Sequence, residues 1–264
     1  MPIAGMAAAT TAVQAANTRI EVRANNIANM KTTGFQKFAV QTSDLSYNNI
    51  GKAGELKNSE SSPSPVGAQV GRGTKVAAAY RILTQGDLQR TDQPLDIALT
   101  GPGYFAINLP GGLTGYTRRG AFQLNPDNGT IVTSEGDALD GDLTIPPGVD
   151  VNTINISNDG TVTYVDKTTN QTQTVGQIIV YTFPNERGLE AQGSDMYLPT
   201  DGSGEAIELT DQSNSMKQKF LEESNVQPVE ELVGMIEDQR AYEMATRIIR
   251  TADEMAADLN KIKS

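Results

Sequence analysis

The stretch "SNVQPVEELVGMIEDQRAYEMATRIIRTADEMAADLNKIK", Ser224–Lys263, decides how the rest of the chain is to be read. Polar capping candidates lead to Pro228 at a first helical turn, and Glu230 and Glu231 follow where the helix dipole favours negative charge. Leu232, Met235 and Tyr242 run on into Ala245, Ile248, Ala252, Met255, Leu259 and Ile262, the last six spaced by threes and fours. Glu243 and Arg247 form a favourable i,i+4 pair, and Lys261 and Lys263 suit the C-terminal end of the dipole. The pattern predicts one helix of roughly 50 Å at ~1.5 Å per residue.

The opposite end carries a matching signal. After Pro2 no proline interrupts Ile3–Asn29, alanine is abundant, and Ile3, Met6, Thr10, Val13, Asn17, Ile20, Ala24 and Ile27 keep a heptad-like spacing, with Thr10 and Asn17 as its polar members. A helix of this length runs about 40 Å. Its tail, "ANNIANMKTTGF" (Ala24–Phe35), sets three asparagines within five positions. Asparagine is a poor helix-interior residue because its amide competes for backbone groups. Gly34 suits a helix C-terminus or the turn beyond it, so the chain is expected to leave the helix near Asn29, with Asn29 as an end residue. Asn25 and Asn26 sit a turn earlier, beside Ala24 and Ile27. They are expected to bond to neighbouring helices and to mark register at some cost in stability.

Each helix shows one apolar stripe and cannot be stable alone in water. The stripes can pack on the middle of the chain or on each other as a hairpin. Both helices outreach a compact domain of ~150 residues, whose radius of gyration is near 15 Å, so they are expected to pair with each other and with neighbouring copies.

Between them, Asp44–Val76 is rich in Gly, Ser, Asn and Pro without periodicity, and reads as a linker or an extended insert. From there to about Leu209 short strand-like runs alternate with turn formers, among them Pro126-Asp127-Asn128-Gly129, Asn158-Asp159-Gly160 and Asp201-Gly202. The expected fold class is α+β: long N- and C-terminal helices in a coiled-coil-like pair, an inserted, mostly antiparallel β-domain, and an extended polar insert. The expected segments are 1–35 for the N-terminal axial helix, 36–75 for the insert, 76–222 for the β-domain and 223–264 for the C-terminal axial helix.

Composition narrows the function. The 264 residues contain no Cys, His or Trp, which removes Cys and His nucleophiles, imidazole bases and Cys/His zinc sites. The net charge of −11 argues against a nucleic-acid binder. Apolar runs such as "GQIIVYTF" are too short to span a bilayer, so no direct membrane insertion is expected. The start "MPIAGMAAATTAVQ" lacks the charged and apolar regions of a cleavable secretory signal. The acidic cluster "EGDALDGDLT" (Glu135–Thr144) departs from the EF-hand spacing and reads as turns. "GRG" at Gly71–Gly73 and "GPG" at Gly101–Gly103 are too short for a nucleotide fingerprint. No catalytic, cofactor-binding or metal-binding residues are expected.

The two ends and the start of the β-region together resemble one family. "ANNIANMKTTGF", "LTQGDLQRTDQPLDIALTGPGYFAI" (Leu83–Ile107), "YTRRGAFQL" (Tyr116–Leu124) and "SNVQPVEELVGMIEDQRAYE" (Ser224–Glu243) are similar, in this order, to the signatures of the bacterial flagellar rod and hook axial proteins. Length and the polar insert at about Ser46–Val70 resemble the distal-rod members, with the proximal-rod members as runner-up. The resemblance implies a structural subunit that stacks helically into a hollow drive shaft, with the terminal helices lining the inner tube and the β-domain outward. It implies export, uncleaved, by the flagellar type III apparatus into the periplasm. The implied partners are further copies of itself, proximal rod proteins, the hook protein and the P- and L-ring proteins. The assembly residues it implies are Ile3, Met6, Val13, Ile20, Ala24, Asn25, Asn26, Ile27, Asn29, Gly34 and Phe35 in the N-terminal region. In the C-terminal region they are Asn225, Val226, Leu232, Met235, Ile236, Gln239, Arg240, Ala241, Tyr242, Glu243, Ile248, Ala252, Met255, Leu259 and Ile262. Two other classes compete: an exported β-rich peptidoglycan-binding module, and a carboxylate-dependent periplasmic hydrolase. Neither explains why motifs fall in the helices.

Overall fold

The computed structural model describes residues 2–51, 67–141, 143–166, 171–209 and 215–263, with side chains from 5 to 261. Most of the insert expected at Ser46–Val70, and the side chains of Ile3 and Ile262, lie outside the described residues. The chain divides into two compact units, one of residues 1–28, 38–81 and 227–264, the other of 29–37 and 82–226.

In the first unit α1 (Pro2–Ala28) and α2 (Pro228–Lys263) pack along each other. The N–H of Glu231 donates to Gln227 O at 3.1 Å, closing the first turn of α2 around Pro228, which has no N–H to lose. The strands β1 (Phe38–Asp44), β2 (Tyr47–Gly51), β3 (Ala68–Gly71) and β4 (Thr74–Arg81) form a two-stranded antiparallel ribbon. β1 pairs with β4, β2 with β3, and β1 and β4 lie against α1. This ribbon occupies the described part of the segment expected to be an insert. Its β4 overlaps the first strand-like run of the sequence, but β2 and β3 were not legible as strands because they are exposed along almost their whole length. With both faces wet, selection leaves no period-two alternation to see.

The second unit is built on a nine-stranded antiparallel sheet. Its centre is the hairpin Tyr104–Leu109 with Leu113–Thr117. Alternation along the first of these strands splits the core in two. Phe105 and Ile107 join an aliphatic cluster with Ile97, Leu99, Ile131, Ile145 and Ile178. Tyr104 and Ala106 point the other way, to Tyr116, Phe183, Leu189 and Tyr197. There Tyr116 and Phe183 meet edge to face with centroids 4.8 Å apart, the arrangement their quadrupoles favour. The expected turns are in place: residues 126–129 lie between Phe122–Leu124 and Ile131–Thr133, and Asn158–Gly160 joins Asn155–Ile156 to Thr161–Val165. The result is the α+β class, two long terminal helices with a mostly antiparallel β-domain between them.

Candidate assembly site

Small residues and charges make the helix pair. Ala9, Ala15 and Ala16 of α1, and Ala245 and Ala252 of α2, are buried. Small side chains let the helices approach closely, which a row of leucines would prevent. Within this seam Arg19 Nε donates to Asp238 Oδ1 at 2.6 Å, Arg23 Nε to Asp238 Oδ2 at 2.8 Å, and Arg23 Nη1 to Glu231 Oε2 at 3.2 Å. Both carboxylates are buried. Burial opposes the Arg23 charge, but the hydrogen bond and charge of Asp238, with Glu231 behind them, hold its pKa above the ordinary guanidinium value. Gly234 leaves the space that the Arg23 guanidinium fills; a Cβ there would collide with it. Sequence reasoning missed this ladder because charged residues on a long helix read as solvent-facing. The available signal was Arg19 and Arg23 at i,i+4 with Glu231 and Asp238 at i,i+7, two same-sign pairs of opposite charge on two helices.

The large apolar residues of α2 go elsewhere. Leu232, Ile236, Ile248, Met255 and Leu259 are 50–55% exposed, and Tyr242 is exposed too. Gln239, Arg240 and Glu243 are also exposed, while Met235 and Ala241 are half-buried and Ala252 lies in the seam. On α1, Met6, Val13, Ile20 and Ile27 are half-buried, and Thr10, Asn17, Ala24 and Asn25 are exposed. The buried face of α1 is offset from the stripe read from the sequence, because residue size and not apolarity selects the seam.

The motif asparagines serve the fold. Asn26 is fully buried, its Nδ2 donating to Phe38 O at 2.8 Å while Phe38 N donates to its Oδ1 at 2.9 Å. The side-chain amide imitates a strand partner for the first residue of β1. Within the single chain both the nitrogen and the oxygen of the Asn26 amide are used on Phe38. Asn29 closes the turn after α1, accepting from Thr32 N at 3.1 Å on its carbonyl and from Thr32 Oγ1 at 3.1 Å on its side chain.

A second set of motif residues ties the second unit where the chain enters and leaves it. Asn225 Nδ2 donates to Ile82 O and Thr84 O, both at 2.8 Å, and its Oδ1 accepts from Lys37 N at 2.7 Å. Gly34 has φ +75°, and a Cβ there would stand 2.9 Å from Arg119 N, so both conformation and space call for glycine. Phe35 and Val226 are buried beside these ties. Arg118 and Glu222 form a fully buried ion pair at 2.7 Å. The remaining Arg118 donors reach Gly103 O at 3.0 Å and Gly101 O at 2.7 Å, and Glu222 Oε1 accepts from Gly86 N at 3.0 Å. So "GPG", "TRRG" and "QGD" share one lock. Sequence reading located these motifs without seeing that they meet. Among the described residues no cluster of Asp and Glu is placed to hold a metal ion, and no helix is long and apolar enough to cross a membrane.

Comparison with known proteins places this architecture. Residues 6–36 match the family description "Flagella basal body rod protein", 98–164 "Flagellar hook protein FlgE/F/G D1 domain" and 217–262 "Flagellar basal body rod FlgEFG protein C-terminal". Those three define the class, the axial proteins of the flagellar rod and hook. Among individual relatives, the flagellar basal-body rod protein FlgG of Caulobacter vibrioides is 41% identical, over 97% of this chain and 98% of its own. FlgG of Borreliella burgdorferi is 38% identical over 97% of each chain, and FlgG of Bacillus subtilis 35% identical over 93% of this chain and 94% of its own. A crystal structure of the Helicobacter pylori hook protein FlgE2 aligns only loosely, with 12% identity and TM-score 0.21 over 70% of this chain and 41% of that one. The chain belongs to the FlgG family of flagellar basal-body rod proteins. The family is one of structural subunits, not enzymes, and self-assembles within the flagellar basal body.

Proposed function

We propose that the chain is the subunit of the distal rod, stacking helically into a hollow shaft that carries motor torque to the hook and through which later axial proteins pass. Its neighbours in this reading are further copies of itself, the proximal rod proteins below, the hook protein above, and the P- and L-ring proteins around it. The flagellar type III apparatus delivers it uncleaved to the periplasm. The segments 1–35 and 223–264 act as axial helices, 36–75 as the rod-type insert and 76–222 as the outward domain.

One observation carries this reading. The helix pair uses its alanines and charges within the chain and leaves Leu232, Ile236, Ile248, Met255 and Leu259 half-exposed. By helical advance Leu232 and Ile236 share one face of α2, and Ile248, Met255 and Leu259 share another. A soluble monomer rarely displays such apolar patches, whereas an axial subunit needs them for its neighbours. Ile248→Asp places a charge on the second patch and touches no buried group. Cells carrying it are expected to lose motility while the β-domain of the purified variant melts as in the parent. Swimming cells with complete basal bodies would overturn the reading.

A further inference from the structure

One repeat draws the seam of α2. Glu231, Asp238, Ala245 and Ala252 stand seven residues apart, and with Gly234 they are the buried residues of this helix among those described. On α1 the matching line is Ala9, Ala16 and Arg23, again seven apart. Arg19 meets Asp238 while Arg23 reaches on to Glu231, so the helices run antiparallel, with charges at one end of the seam and alanines at the other.

The two ends differ in what they resist. Ile248 and Met255 each follow a seam alanine by three residues and are more than half exposed. Three residues advance ~300° around a helix, so a roll of roughly 60° would carry both side chains onto α1 in place of the alanines. Such a roll takes more apolar surface out of water than the alanines do, and the hydrophobic effect favours it. The charged end opposes it. Asp238 accepts from Arg19 Nε at 2.6 Å on one oxygen and from Arg23 Nε at 2.8 Å on the other, and Glu231 accepts from Arg23 Nη1 at 3.2 Å. A carboxylate held through both oxygens fixes the angle at which α2 meets α1. Rolling α2 breaks all three charge-assisted bonds, at carboxylates whose side chains are only 9% and 7% exposed, and that is far costlier than losing surface pairs. Gly234 lets the Arg23 guanidinium lie across α2, since a Cβ there would collide with it.

We infer that the Arg19/Arg23–Asp238/Glu231 ladder is a rotational lock that determines which face of α2 is left for assembly. Of the faces α2 could turn to α1, it selects the one that keeps Ile248 and Met255 outside, and so prevents the chain from burying its own contact surface. What that surface is for rests on the rod reading above. A buried ion-pair set adds little stability over apolar side chains of similar volume, so its contribution here is the choice of orientation.

The fourfold variant R19A/R23A/E231A/D238A continues the alanine seam to the charged end and leaves every large apolar residue of α2 in place. Hydroxyl-radical labelling of Met255 is compared between the free full-length parent and this variant, with the buried Met216 as internal reference. The lock predicts that Met255 labelling falls several-fold, towards that of Met216, while helical circular dichroism stays at the parent level. Cells carrying the variant are expected to lack complete basal bodies. Parent-level labelling of Met255 in the folded variant overturns the lock and leaves the rod reading standing. Protected Met255 together with complete basal bodies would instead overturn the role given to that patch in the rod reading. If the fourfold variant loses its helical signal, Asp238→Asn, which keeps the side-chain shape, is read in the same way: reduced Met255 labelling supports the lock and parent-level labelling overturns it.

Discussion

Asn26 shows how a poor helix former can be required by a fold. Its amide holds the backbone N–H and carbonyl of Phe38 at the start of β1, so removing it takes away both of those hydrogen bonds at a half-buried residue. Asn26→Ala is expected to cost about 1–3 kcal/mol in chemical denaturation, with faster amide exchange at Phe38. The Arg118–Glu222 pair makes a stronger demand. Arg118→Met leaves a buried carboxylate uncompensated and is expected to cost about 3–5 kcal/mol, whereas adding Glu222→Gln restores part of that loss. A double-mutant cycle measures the coupling; simple additivity would contradict the lock. Part of this was legible. Gly34 reads as a turn residue from its place after Thr32-Thr33, and the structure gives it φ +75°. The partner of an asparagine is not written in its neighbours, since Asn225 reaches residues 37, 82 and 84, far away in the sequence.

At the scale of elements, both helices could be read from period and caps, but not the face each one buries. Sequence reading weights large apolar side chains, and here they turn outward while alanine, glycine and paired charges take the seam. The β-domain was easier because alternation in Tyr104–Leu109 and the turns at Gly129 and Gly160 are local signals. Strand β4 falls in the strand-like run expected from Val76 on, whereas β2 and β3 were hidden for want of any alternation. This division makes a sharp contrast in mutational cost. Ala245→Leu wedges the seam apart and is expected to lose about 1–3 kcal/mol, read as loss of helical circular dichroism at lower denaturant. Ile236→Ala, on the outer face, is expected to change stability by less than about 0.5 kcal/mol while lowering assembly. Equal costs at the two positions would mean that the faces have been assigned the wrong way round.

For the whole molecule, the physical theme is a chain that pairs most of its buried polar groups internally and leaves large apolar side chains of α2 exposed. The buried Asn26, the Arg19/Arg23 ladder and the Arg118 lock fix the two units from within. Leu232, Ile236, Ile248, Met255 and Leu259 are half-exposed in the single chain, and the proposed rod assembly has other copies cover them. Oxidative footprinting of the free subunit and of purified basal bodies tests this directly. The account predicts that Ile248, Met255 and Leu259 label readily in the free chain and are protected in basal bodies, while the already buried Met216 labels weakly in both. Equal labelling of the α2 row in the two states would contradict it.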